Sequence, residues 1–234
     1  MSKIQWKGGT LLGPLPPALI SCGTAEHPNV FTAAWTGIVN TIPPKTYVSI
    51  RPSRYSYGLI RENRQFVINL TTERLVRAAD FCGVRSGRDL DKFAETGLAP
   101  QPSFTVDCPS VAQSPLSLEC CVTDIIPMGS HDMFLADITA VSVEEELIDR
   151  EGKLHLERCG LAAYAHGAYY GLGRQLGTFG FSVRKKPTPA GTAPKKDGEK
   201  PLQGKEKSHR KKPAGKGFGS GKSRSRGPGK ERGR

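Results

Sequence analysis

The chain has 234 residues, with 34 Lys+Arg against 22 Asp+Glu, but the excess is not shared along it: residues 184–234 hold 18 basic and 4 acidic side chains, leaving 16 and 18 for residues 1–183. The high overall charge therefore belongs to the C-terminal segment and says nothing about partners of the first 183 residues, which are long enough to close one sizeable core. The opening "MSKIQWKGGT" lacks an apolar stretch of signal-peptide type, and no segment reaches the roughly 18 apolar residues of a bilayer span, so no membrane insertion and a cytoplasmic location are expected.

In chain order, residues 18–22, 31–38, 46–50 and 66–70 read as strands: they are rich in β-branched, aromatic or small apolar side chains and are bounded by Pro, Gly and Asn. Pro43 and Pro44 cannot donate to a β-ladder, so the chain turns there and resumes at Thr46. Helices are expected at 56–63 and 73–82, and a short one at 90–95, capped by Asp89 and stopped by Gly97. Leu116, Leu118, Cys120 and Val122 alternate with Ser117, Glu119, Cys121 and Thr123, the period of a half-buried strand. Residues 133–143 resume after a turn at 127–130 and should pair back on it as an antiparallel hairpin. Hairpin-dominated strands with marginal helices point to a mainly β, barrel-like domain over 1–183. From Arg184 onward the chain is Lys, Arg, Pro, Gly and Ser with Phe218 as its one aromatic, and a disordered tail over 184–234 is expected.

The six cysteines, Cys22, Cys82, Cys108, Cys120, Cys121 and Cys159, contain no C-x-x-C pair, and Cys120 and Cys121 must point to opposite faces of one strand. They read as buried free thiols in a reducing compartment, with no metal site. "GKGFGSGKS" in the tail has Lys216 where a phosphate-binding loop needs glycine, and Gly171, Gly173 and Gly177 miss the G-x-G-x-x-G spacing by one. No nucleophilic triad or paired-carboxylate site is evident, and Glu144, Glu145 and Glu146 read as a solvated strand end.

Four segments carry a resemblance: "NVFTAAWTGIVNTIPPKTYVSIRPSRYSYGLI" (29–60), "FCGVRSGRDLDKF" (81–93), "GSHDMFLADI" (129–138) and "YYGLGRQLGTFGFS" (169–182). Together they resemble the flavin reductase-like family, the FMN-binding split-barrel flavoproteins, and most closely its flavoredoxin-type members. The resemblance implies a split β-barrel with short flanking helices, FMN as cofactor, and a homodimer with FMN near the subunit interface. Electron transfer would run from NAD(P)H or an unidentified redox partner to a small-molecule or protein acceptor.

On the residues themselves, Arg51, Ser53, Arg54 and Ser56 could bind a phosphate by charge-assisted bonds at a helix start; a capped helix with solvated arginines would look the same. Gly83 and Gly87 allow close backbone approach, with Ser86, Arg88 and Lys92 completing a phosphate site or forming a plain loop and cap. Asn29, Thr32, Ala33 and Trp35, with Ser49 on the next strand, would face a flat ring system. Trp35 could equally be a core or interface residue. His131 is the one catalytic candidate, touching the ring or the nicotinamide of a donor, against the alternative of an exposed hairpin histidine. Three functions stay open: an FMN oxidoreductase in which the flavin carries the chemistry, a non-enzymatic FMN electron carrier, and a nucleic-acid-associated protein acting through the basic tail.

Overall fold

Eleven strands and three α-helices follow one another through the described residues, 1–184, of the computed structural model. The basic tail, apart from Arg184, lies outside the described residues. The strands β1 (Ala18–Gly23), β2 (Pro28–Ala33), β3 (Thr36–Thr41) and β4 (Pro44–Ile50) come first, then α1 (Tyr55–Asn63), β5 (Gln65–Asn69), α2 (Val76–Val84) and α3 (Lys92–Thr96). Two short strands, β6 (Pro100–Gln101) and β7 (Ser110–Val111), precede the long hairpin β8 (Leu116–Pro127) and β9 (Asp132–Val143). The small hairpin β10 (Ala162–Ala165) and β11 (Ala168–Gly171) follows. Met1–Thr178 form one compact unit. Phe179–Arg184 belong to a second, within which Phe181–Val183 make a 3-10 turn.

Seven strands form one antiparallel sheet in the order β2-β1-β5-β8-β9-β4-β3. Its two edge strands, β2 and β3, are consecutive in the chain and joined by Ala34 and Trp35 alone. A flat sheet of this width would hold its edges about 29 Å apart, whereas the link spans at most about 11 Å. The sheet must therefore curl until its edges adjoin, and the barrel stays split along that seam. Its interior is filled by Ile20, Phe31, Ile60, Phe66, Phe134 and their neighbours. A second cluster outside the wall, including Leu19, Val30, Ala79 and Phe93, seats α2 and α3 against β1 and β2.

The single strand expected over 31–38 is two strands. The chain leaves its pairing with β1 at Ala33 and joins β4 at Thr36, so the break is set by the barrel seam and by no local residue preference. β4 begins at Pro44 rather than Thr46, a first-position proline that costs the ladder no donor. The helix expected at 73–82 opens as a 3-10 turn at Glu73–Leu75 before α2 takes over. The cap of α3 is Asp91, whose Oδ1 accepts from the Phe93 and Ala94 amides at 2.9 and 3.2 Å, not Asp89; Gly97 ends it at φ 68°.

The period-2 strand is not half-buried. On its polar face Ser117 and Glu119 are also covered. Glu119, 0% exposed, accepts from the backbone N–H of Phe104 at 2.9 Å, the N–H of Thr105 at 2.7 Å and the Thr105 hydroxyl at 2.8 Å. Asn69 donates to Leu19 O and Ser21 Oγ and accepts from the Val111 N–H and Ser117 Oγ. Alternation in the sequence records a polar second face; it does not record that a loop covers it. All six cysteines are free.

Candidate functional site

Three chain segments meet at the top of β2. The link from β4 and the first turn of α1 bring Arg51, Ser53, Arg54 and Ser56, and the end of α2, its link to α3 and the first residue of α3 bring Gly83, Arg85, Ser86, Arg88 and Lys92. Between them, against Phe31 and Thr32, lies a cavity of about 520 Å³. Five cationic side chains line it against a single carboxylate, Asp89. The helix α1 opens on this cavity with Arg54 at its N-cap position, no side chain capping it and no acid in its first turn, so the positive end of its dipole is uncompensated.

Lys92 is the strongest observation. It is 4% exposed, and its Nζ donates to one acceptor, the Cys82 carbonyl, at 2.8 Å. Among the described residues no carboxylate pairs with it. Burial pushes its pKa down, with the neighbouring Cys82 and Cys22 opposing and Arg54 adding to the fall. An ammonium buried without a counter-ion is costly, and a ligand anion is the natural partner.

The backbone is fitted equally closely. A Cβ on Gly87 would collide with Asn29 Oδ1, so a side chain here forces Asn29 to shift; at Gly83 the nearest atom, Thr32 Cβ, would be 3.4 Å away. Asn29 does not line the ring slot as the sequence led us to expect. It is buried behind the wall, its Nδ2 donating to Ser56 Oγ at 2.8 Å, because its position on β2 points it at α1. It ties β2 to the first turn of α1 instead.

The cavity continues, through Phe31, Thr32, Arg51 and Arg54, into a slot of about 170 Å³ bounded by residues 31–35, Ser49, Ile50 and His131. This slot lies on the barrel seam. Ala33 turns its methyl into the core, and the Thr32 hydroxyl donates to Ala79 O at 2.5 Å, so β2 meets the slot with a thin wall. Ser49 is held beside Trp35 by its amide, which donates to Trp35 O at 2.9 Å. Trp35 is 37% exposed and is no core residue.

His131 borders the slot as well, its ring 4.5 Å from that of Trp35. Burial, and then Arg51, lower its pKa, which leaves a neutral imidazole at neutral pH. Its turn is anchored where the Tyr57 hydroxyl donates to Asp132 Oδ2 at 2.7 Å. Cys82, on the cavity wall, and Cys22 are pushed up to about 11 by burial, so neither supplies a thiolate.

Sequence reasoning missed Arg85 on the cavity wall and Phe31 at the junction of cavity and slot. Arg85 stands in the quoted "CGVRSGRDLDK" run and was open to the same charge argument. Phe31 gave no signal beyond strand propensity.

Residues 13–173 match the family described as flavin reductase like domain. The fold is similar to the flavoredoxin of Desulfovibrio vulgaris (Miyazaki F), with a TM-score of 0.73 and 31% identity over 78% of this chain and 100% of that one. It is also similar to an FMN-binding protein from Thermus thermophilus, with a TM-score of 0.64 and 25% identity over 76% of this chain and 99% of the other. Among curated proteins, an NADPH-flavin oxidoreductase of Streptomyces viridifaciens is 26% identical over 155 residues, 64% of this chain and 79% of its own length. With most of its compact unit matched in sequence and in fold, the chain belongs to the flavin reductase-like family.

Proposed function

We propose that the protein is an FMN-dependent oxidoreductase of the flavin reductase and flavoredoxin kind. The observation that carries this reading is Lys92, a buried cation without a counter-ion at the end of a cavity that runs on into a flat, small-residue slot. Bound there, FMN would supply the redox chemistry, accepting hydride or electrons from NAD(P)H or a redox partner and passing them to an acceptor. The chain's own residues do the holding. Arg51, Arg54, Arg88, Lys92 and the first-turn amides of α1 take the phosphate, with Ser53, Ser56 and Ser86 as hydroxyl partners. Residues 32–35 and Ser49 present the wall for the ring. His131, set against Trp35 and carried on the turn that Tyr57 anchors, closes the far end of the slot, and burial and Arg51 disfavour its imidazolium form.

Purified protein is expected to be yellow and to release FMN on denaturation; a colourless preparation that takes up no added FMN would end the reading. Anaerobic bleaching of the bound flavin by NADH or NADPH separates an enzyme from a carrier that cycles only between protein partners. A homodimer belongs to the same proposal, supported by apolar side chains left exposed on edge strand β3 and beyond it, Ile38, Val39 and Ile42; light scattering tests it. The free cysteines suit a reducing, cytoplasmic setting. A second, accessory role rests on the excess of basic residues after residue 183, which favours salt-sensitive contact with a polyanion such as nucleic acid.

A further inference from the structure

Trp35 lines two cavities. Besides the slot, it borders an open chamber of about 690 Å³ lined by residues 10–15 of the N-terminal arm and residues 164–167 at the β10–β11 turn. The arm is fixed there by a pair of backbone bonds, Leu15 N–H to Tyr164 O and Tyr164 N–H to Leu15 O, both 2.8 Å. At Gly13 the arm lies against Ala165, whose Cβ would be in ordinary contact, 3.6 Å, with a Cβ at that position. The opposite wall is a tight turn with His166 at φ 50° and Gly167 at φ 89°. Leu11, Leu12, Pro14 and Tyr164 give the chamber apolar sides, and none of its lining residues is Asp, Glu, Lys or Arg. Leu11 and Leu12 are 60% and 82% exposed, an apolar surface facing water.

We propose that this chamber binds the uncharged, flat, apolar ring of a second substrate, of the quinone class, beside the flavin; the proposal rests on the reading that FMN occupies the adjoining slot. The volume is that of a small-molecule site, and the walls are mostly apolar with a few hydroxyl, phenol and imidazole groups able to orient a carbonyl. Charge argues for the same occupant. A nicotinamide dinucleotide or any other phosphate-bearing molecule would find no Lys or Arg in the chamber to hold its phosphates. A neutral ring loses nothing of that kind and covers Leu11, Leu12 and the indole edge. The division of labour is then spatial: anionic groups to the arginine-lined cavity, a neutral ring to the far side of Trp35.

The test uses the full chain loaded with FMN and titrated with menadione in a calorimeter, alongside Leu12→Asp and His166→Asp. Both substitutions are at exposed positions, and Asp tolerates the left-handed backbone at 166. Saturable menadione binding to the wild-type protein, at least tenfold weaker in each variant with FMN affinity unchanged, is expected. Menadione that binds both variants as well as the wild type would overturn the chamber. So would a protein that holds FMN yet excludes menadione, including a dimer in which a second copy fills the space. Failure of the wild type to bind FMN at all would sink the flavoprotein reading itself, which is a separate result.

Discussion

Among the described residues two side chains that carry a charge, Glu119 and Lys92, are fully or almost fully buried, and they are treated differently. Glu119 sits at the back of the barrel with donors from the Phe104 and Thr105 amides and the Thr105 hydroxyl converging on its carboxylate. Lys92 sits at the front with one carbonyl. The first charge is satisfied by the fold and serves it, stitching the 103–108 loop to β8. The second is under-satisfied by the fold and waits for something outside it. Buried polar groups are nearly always paired, so a shortfall of this kind distinguishes a binding residue from a structural one better than charge or burial alone.

The contrast can be broken at either end. Glu119→Ala is expected to destabilise the protein by about 3 kcal/mol, because it removes charge-assisted bonds from a closed site. FMN affinity should not change. Thermal unfolding checks the first statement and flavin titration of the folded variant the second; a large loss of flavin affinity would show that the two regions are not independent. Lys92→Met should do the reverse. Stability is unchanged or rises, while FMN binding weakens by about a hundredfold and riboflavin, which lacks the phosphate, is barely affected. A variant that unfolds would make Lys92 a structural residue.

Arg54→Ala sharpens the comparison within the pocket. The exposed guanidinium should contribute about 1.5 to 3 kcal/mol to phosphate binding, so FMN affinity falls by roughly ten- to a hundredfold with riboflavin as the unchanged control. Equal losses for the two ligands would move Arg54 to the ring slot or to the fold. Gly87→Ala tests the scaffold between both regions. The added methyl collides with Asn29 and strains its bond to Ser56, for a cost of about 1 to 2 kcal/mol in stability and a loss of affinity for both flavins. Differential scanning fluorimetry with and without riboflavin would show it.

The smallest effect belongs to a third arrangement, in which a histidine is satisfied on both sides. His155 places Nε2 2.7 Å from Asp149 Oδ2 and Nδ1 2.7 Å from Glu157 Oε1. Its pKa is raised, first by Asp149 and then by Glu157, while Asp149 is held down to about 2, chiefly by the bond with His155. The histidine contribution is present below its unfolded value near 6.5 and disappears as pH rises through the raised one. The Asp149 contribution is present above its ordinary value and disappears as pH falls through about 2. The protection factors of the Gly152 and Lys153 amides, with the base-catalysed intrinsic rate divided out, should therefore be highest between about pH 4 and 6.5 and lower at pH 8.5. His155→Gln should flatten the alkaline side of that profile.

How far the sequence carried is clearest at particular residues. β1, β5 and the β8–β9 hairpin were legible because their periodicity and turns are local. The seam at Ala34 and Trp35 was not, since no short-range preference says that one strand will change partners in mid-run. The β10–β11 hairpin was hidden by its turn, which uses His166 where Asn or Gly would have announced it. On the site side, Arg54 and Lys92 could be named from their motifs, but the burial that separates Lys92 from a surface lysine is a product of packing. Asn29 was expected to face the ring from just before a strand at 31–38, whereas it lies within β2 and bonds to Ser56 of α1, because facing α1 or the slot depends on a register that only the folded barrel defines.

The covalent link between the two edges of the sheet also governs when the molecule can become functional. β4, which carries Ser49 and leads into Arg51 and Arg54, has two neighbours in the sheet, β3 and β9. β9 is complete only at Val143, and His131 stands at its mouth. A chain emerging from the ribosome can assemble β1, β2 and β5 early, yet its slot lacks a far wall until the late hairpin closes on β4. Such long-range pairing delays assembly. On the proposed FMN reading, acquisition of flavin colour should therefore report barrel closure, and a folding assay that follows it is expected to see the last step instead of the first.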